Sequence, residues 1–497
     1  MGIVARQGAK AGIVLYVGVV LGALNNIWFY PQFLAPEQIG VFRLLLANEV
    51  FLATLFQLGA VGIVDKFFTF FKGTAQDKGA FIKFSLLYPL IGLGIFAGLY
   101  FLMPNLFLSA YQQKSPNIVK YYYVLPILVL LITYNGILMA FARAYFRIVV
   151  PQILENVLLR AIIIALLLLL SWQFITFDQF IWGFVGIRFI NALILTLYLQ
   201  KLIPGPINWK SWIPRAKIKE FVQFAIFITL GTTSGIIISN ADIIMIGSYL
   251  GERDTGIYTI AFFIGTVVEI PRRAIAQISI PVISEAWKHN HLHIIKDIYQ
   301  KSSVNLMILG ALLVLLILFN VQDLFAFMPK GEVYQQGIYV VVFISLARFV
   351  DMTSGANHEI LLYSKYYRFT LFSNLIFALM VIGTNAILIP KYQLNGAALA
   401  TLISIIIYNF IRFAFLLWKF KIQPFNQKTL WTFALIGFTA TIGYALSFIQ
   451  IHPIINIAIK SIGITGVFIA GVWILKLSED ISLFVQKLTT SIKQRLK

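Results

Sequence analysis

Eleven charged side chains lie inside apolar runs of this sequence: Arg43, Arg160, Arg188, Arg348, Arg412 and Lys460, and Glu49, Glu155, Asp242, Glu269 and Asp351. A charge at bilayer depth is costly and marks a substrate path, an ion path or a pair. Guanidinium stays ionised at any depth, and its fork of donors matches phosphate or carboxylate. A deep carboxylate can carry a proton or help hold a hard cation through oxygen. Because cations and anions nearly balance, structural pairing competes with each of these roles.

Spacing sorts the set. Glu269 stands three and four residues before Arg272 and Arg273, the separation of helical neighbours, so local pairing is expected. Arg412 and Lys460 lie close enough to span ends to snorkel toward water, and Glu155 lies near a loop. Deeper are Arg43, Glu49, Arg160, Arg188, Asp242, Arg348 and Asp351. Arg348 and Asp351, three apart, share a face and could satisfy one another. Arg43 and Glu49, six apart, point to different faces and cannot. Arg160 and Arg188 have no carboxylate at helical spacing on their own helices. Each either pairs across helices or lines a cavity. Asp242 sits alone in "SNADIIMIGSYLGERDTGIYTIA" (239–261).

The elements that carry these residues follow from composition. The chain has 497 residues, 60% hydrophobic and 12% charged, against about 25% charged in a soluble domain. Its mean hydropathy is +0.86. The apolar residues arrive in blocks of about 20, enough to cross a bilayer as helix, and the alternation of a transmembrane barrel is absent. An all-α polytopic membrane protein is expected, with about fourteen spans. They begin near residues 11, 38, 80, 120, 149, 179, 220, 255, 303, 336, 367, 394, 428 and 454.

The net charge of +20 is topological and does not point to nucleic acid. Lys and Arg concentrate in alternate loops: Arg6, Lys10, the Lys66–Lys83, Lys201–Lys219 and Arg272–Lys301 segments, Lys419, Lys421, Lys428 and the tail. The other side has Lys114, Lys120, Arg253, Lys330 and Lys391. The positive-inside rule places both termini in the cytoplasm. The first apolar block lacks a signal-peptide cleavage site and is expected to be retained. Cysteine is absent.

Residues 33–42, "FLAPEQIGVF", align with 249–258, "YLGERDTGIY", without gaps at an offset of 216 (33 to 249). In that register Asn26 lies opposite Asp242, Gly40 opposite Gly256 and Phe42 opposite Tyr258. The expected organisation is an N-lobe at 1–200, a Pro- and Lys-rich linker at 201–219 and a C-lobe at 220–420. A further pair of spans occupies 421–477, and a basic amphipathic tail 478–497. Six spans per lobe make the repeat parallel, about an axis along the membrane normal.

Four segments carry a family resemblance: "LAPEQIGVFRL" (34–44), "NADIIMIGSYLGERDTGIYTIA" (240–261), "RRAIAQISIPVISEAW" (272–287) and "IPKYQLNGAALATLIS" (389–404). The chain resembles the polysaccharide-exporter branch of the multidrug/oligosaccharidyl-lipid/polysaccharide (MOP) superfamily, which includes O-antigen and other oligosaccharide flippases. The resemblance implies two six-helix lobes around a central cavity and two last helices forming a groove for a polyprenyl tail. Its implied cargo is an anionic lipid-linked oligosaccharide, carried from the cytoplasmic to the periplasmic leaflet of a bacterial inner membrane. Arg43, Glu49, Arg160, Arg188, Arg348, Asp351 and Asn26 are the candidate cavity residues. The resemblance to lipid II flippases further suggests an ion site for Na⁺ or H⁺ at Asp242, Asn385 and Thr401, although Val381, one turn before Asn385, offers no ligand. Asp242 could equally be a structural lock. Membrane lipids and glycan polymerase or ligase machinery are the implied partners.

Other chemistries find no support in the sequence. "GLGIFAG" (92–98) lies within an apolar span, where small residues let helices approach. His289, His291 and His293 alternate in a loop with no cysteine to complete a zinc set, and no Walker loop occurs. No catalytic residue, cofactor or metal site is expected. A drug exporter of the same superfamily is the alternative transporter. A membrane-embedded glycan polymerase or ligase would need a large outward loop, which the chain lacks.

Overall fold

The structure is a computed structural model, describing residues 2–71, 73–203, 209–449 and 451–478. The amphipathic tail expected at 478–497 therefore lies, but for its first residue, outside the described residues. Every regular element among the described residues is helical.

The spans begin as hydropathy and breaker residues dictate. They are α1 (Gly12–Phe33), α2 (Pro36–Phe56), α3 (Gln76–Leu102), α4 (Val124–Ala144), α5 (Val149–Ser171), α6 (Phe177–Leu202) and α7 (Lys217–Tyr249). Next come α8 (Glu252–Thr266, continued by Ile270–Lys288), α9 (Leu292–Phe327) and α10 (Gly331–Thr353). The helix Tyr367–Phe420 breaks at Gln393, at φ 52° and ψ −132°, into α11 (367–392) and α12 (394–420). Last are α13 (Gln427–Leu446) and α14 (Pro453–Ile474). By length and hydropathy twelve continuous helices qualify as spans. Fourteen are reached because the broken helix is two, and because a 3-10 turn at Val267–Glu269 interrupts α8.

Local chemistry sets several boundaries. Pro36 opens α2, where its missing N–H costs nothing, and the Gln38 side chain returns to the Ala35 N–H at 2.9 Å. Thr176 and Gln179 form a reciprocal capping box at the start of α6. Leu58 and Gly59, both at positive φ, turn the chain after α2 into a short amphipathic helix, Ala60–Phe71. Hydropathy alone predicts a loop there, because the helix is amphipathic and short of a full span. Helix α9 begins at Leu292, well before the apolar run at 303, because the polar stretch ahead of it continues the same helix.

By Cα packing the chain forms two compact units, Met1–Thr259 and Ile260–Lys497. In the first, α4 packs on α6 and α2, and α7 on α2. The offset of 216 reappears there as a reciprocal contact. A β-carbon on Gly40 would overlap the carbonyl oxygen of Glu252, and one on Gly256 would overlap that of Pro36. These positions exchange under the repeat (36 with 252, 40 with 256), so α2 and the start of α8 cross through glycine about a pseudo-twofold axis. Ser115 Oγ donates to the Gly247 carbonyl at 2.6 Å and Asn117 to Glu252 at the same end. Backbone cannot yield as a side chain can, so Gly256→Ala should cost about 1–3 kcal/mol by overpacking. Thermal unfolding of the purified variant checks this, and an unchanged midpoint would contradict it.

In the second unit α9 is central, touching α10, α13 and α14. Lys460 on α14 donates to Asp323 on α9 at 2.6 Å, and Asn456 bonds the same carboxylate at 3.1 Å. Lys460 is thus buried and paired, and does not snorkel as its position suggested. A nearby apolar groove of about 450 Å³ between α13 and α14 is lined by Trp431, Phe438, Val467 and Ile474, among others.

Candidate functional site

In the first unit, deep polar residues gather in two clusters on α1, α2, α5 and α6. Arg188 on α6 is the centre of one. Its Nη2 donates to Glu49 Oε1 on α2 at 2.8 Å, and its Nη1 to Glu155 Oε1 on α5 at 2.7 Å. The side chains of Arg188 and Glu49 are 6% and 0% exposed, that of Glu155 34%. Two carboxylates thus share one guanidinium. Asn135 on α4 donates to the Arg188 carbonyl at 3.1 Å, and the Phe184 ring lies 5.2 Å from the guanidinium carbon. Of the two arrangements open to Arg188, the structure adopts pairing across helices.

The second cluster forms where α1 widens into a π-helical turn, Asn25–Phe29. Asn26 Oδ1 accepts from Arg43, whose guanidinium carbon lies 5.2 Å from the Tyr30 ring. Asn25 donates to the backbone carbonyl of Arg160 at 3.4 Å, and Arg160 donates to the carbonyl of Gly18. Gly18 and Gly22 make this possible, because a β-carbon there would strike Asn156 or the Arg160 guanidinium. Arg43 and Arg160 are both part-buried, and their recorded partners are an amide oxygen and a backbone carbonyl. Among the described residues neither forms an ion pair. The separation expected of Arg43 from Glu49 holds, since each finds its partner elsewhere.

Asp242 accepts from Tyr258 Oη at 2.6 Å, both residues being buried. Under the 216 offset Asp242 and Tyr258 correspond to Asn26 and Phe42, so the α1–α2 bond of Asn26 to Arg43 lies one residue out of register with it. Asn385 and Thr401 are also buried, and both belong to the second unit.

The second unit neutralises its charges between helices. Arg272 on α8 meets Asp351 on α10 at 3.1 Å and Glu359 at 4.0 Å, and Arg348 on α10 meets Glu269 at 3.0 Å. Asn409 on α12 holds the other Asp351 oxygen at 3.1 Å. Local pairing of Glu269 with Arg272 and Arg273, and self-pairing of Arg348 with Asp351, both give way to this crossed ladder. The 3-10 turn ending at Glu269 breaks the helical register that local pairing needs. Arg412, expected to reach for water, is 3% exposed. It lies 2.8 Å from His358 Nδ1 and 3.1 Å from Asn374 Oδ1, with its guanidinium carbon 3.9 Å from the Tyr408 ring.

His358, between α10 and α11, was not singled out by sequence. Burial first, then the Arg412 cation, push it down to about 3 from 6.5. Folded protein keeps this imidazole neutral where the unfolded chain protonates it, so stability is lost as pH falls below 6.5 toward 3. The slope contributed reaches about 1.4 kcal/mol per pH unit. His358→Gln should flatten the fall of the unfolding midpoint between neutral pH and about pH 5, and an unchanged slope would contradict the assignment.

No family model matches this chain, and no curated protein matches it. Solved structures do. The lipid II flippase MurJ in an inward closed conformation superposes with a TM-score of 0.76 at 14% identity, over 94% of this chain and 98% of that one. An inward-facing multidrug resistance MATE family transporter of the MOP superfamily gives 0.62 at 14% identity, over 84% and 94%. An outward-facing one gives 0.53 at 14%, over 83% and 95%. At these identities the likeness establishes a shared fold.

Proposed function

We propose that this protein is an alternating-access flippase. Its cargo would be undecaprenyl-diphosphate-linked oligosaccharide, moved from the cytoplasmic to the periplasmic leaflet of a bacterial inner membrane. The observation that carries this reading is the pair Arg43 and Arg160. Both are part-buried guanidiniums in membrane-spanning helices, set about one π-helical turn and, among the described residues, without an ion pair. Uncompensated cations there are costly, and a diphosphate would repay that cost by charge-assisted bonding to both forks. Partners as weak as an amide and a carbonyl oxygen leave the guanidiniums exchangeable, as transport requires.

Two further features agree. The apolar groove between α13 and α14 suits an isoprenoid tail. The solved structure of a lipid II flippase also accounts for more of this chain than the multidrug transporters do. Asp242, Asn385 and Thr401 remain the proposed coupling set for Na⁺ or H⁺. Arg348 and Asp351, neutralised within the second unit, are assigned to its internal packing.

Binding of undecaprenyl diphosphate and of undecaprenol to the full-length protein in nanodiscs tests the head-group claim. The diphosphate should bind at least about tenfold more tightly, equivalent to about 1.4 kcal/mol. Equal affinities would remove the diphosphate from the proposal and favour export of small amphiphiles.

A further inference from the structure

We propose that Glu49 and Glu155 share one exchangeable proton across Arg188, forming a proton-binding site inside the first unit and separate from the Asp242 set. With both carboxylates ionised, the triad carries one surplus negative charge, with Glu49 and Arg188 withdrawn from solvent. Bare charge in that setting is relieved by neutralisation.

The geometry offers a place for the proton. Arg188 engages one oxygen of each carboxylate. The second oxygen of Glu49 is buried and has no hydrogen-bond partner. A protonated Glu49 would carry its O–H there. On the surrounding helices the amide nitrogen and oxygen of Asn191, three residues beyond Arg188 on α6, and the side-chain oxygen of Asn135 on α4 are buried and also without partners. A metal cation would sit beside the guanidinium, which lies 2.8 Å from the same carboxylate and repels a second positive ion. A proton avoids that repulsion by converting the carboxylate to a neutral group.

Access follows from the difference in exposure. Glu49 is sealed, while Glu155 is about one-third exposed and sits in a second π-helical turn, Ile153–Leu158. Such turns inside helices are frequent at functional sites. Glu155 is therefore the member of the triad that solvent reaches directly. The charged groups that face Glu49 are Arg188 on α6 and Glu155 on α5. Arg160 acts on Glu155 from farther along α5 without forming an ion pair, and α4 contributes the neutral Asn135.

Infrared difference spectroscopy of the full-length protein in nanodiscs, stepped between acidic and alkaline buffer, tests the site without any cargo. One carboxylic-acid C=O band, shifted in D₂O, should appear on acidification and vanish on return. Glu49→Gln should abolish it. Glu155→Gln should abolish it too, although Glu49 is intact, because a single carboxylate opposite Arg188 stays ionised. Asp178→Asn, in the first turn of α6 and about 15 Å along that helix from Arg188, should leave it unchanged. Absence of the band in the wild type, or its survival in either glutamine variant, overturns the proposal. So does its removal by sodium at constant pH, which would make the site a cation site. The inference rests on the triad and not on the cargo: the band could be present while the flippase reading fails, and the reverse.

Discussion

Arg188→Ala should destabilise the protein by about 3–5 kcal/mol, the cost of breaking a buried pair by removing one partner. The loss would be among the largest available to a single substitution here, because one guanidinium serves two carboxylates on two other helices. Removing it leaves Glu49, fully sealed from solvent, and Glu155 facing each other with no countercharge. The effect should be strongly non-additive. Arg188→Met combined with Glu49→Gln should recover most of the loss, since an apolar or neutral replacement of a buried pair is often tolerated. Thermal unfolding in detergent, with both singles and the double, measures it. A loss below about 1 kcal/mol for Arg188→Ala would place the triad in a wet, screened setting.

Arg43→Ala and Arg160→Ala should each reduce clearance of lipid-linked intermediate by about tenfold or more, with little change in stability. Under the flippase reading each would remove charge-assisted bonds of about 1.5–3 kcal/mol to the diphosphate. Neither leaves an orphaned carboxylate, which separates these variants from Arg188→Ala. Arg43→Lys should recover part of the activity, because lysine supplies the charge without the planar fork. Equal activity of Arg43→Ala and wild type at matched expression would return Arg43 to a packing role against Asn26 and Tyr30.

Much of the architecture was legible from hydropathy, because a bilayer forces each apolar block to satisfy its own backbone as helix. The repeat was legible too, through ten residues. Gly40 and Gly256 align because both permit the same backbone crossing. Partner choice was harder to read. Sequence spacing reports neighbours on one helix, whereas the deep charges bond between helices: Arg188 to α2 and α5, Arg272 to α10, Lys460 to α9. One signal was available. Glu269-x-x-Arg272 and Arg348-x-x-Asp351 carry opposite charges at equal spacing in reversed order, the pattern of two helices made to face each other. The π-helical turns at Asn25–Phe29 and Ile153–Leu158 had no such signal. They lie where α1 and α5 meet, beside the bond from Arg160 to Gly18, whose partners are 142 residues apart.

The most direct test of the central claim is the amount of lipid-linked oligosaccharide held in the cytoplasmic leaflet of cells lacking this protein. The cells would be complemented with wild type or with the double variant Arg43→Ala/Arg160→Ala at matched expression. The flippase reading predicts accumulation without the protein, clearance by wild type and persistent accumulation with the double variant. No accumulation in its absence, or full clearance by the double variant, would contradict it.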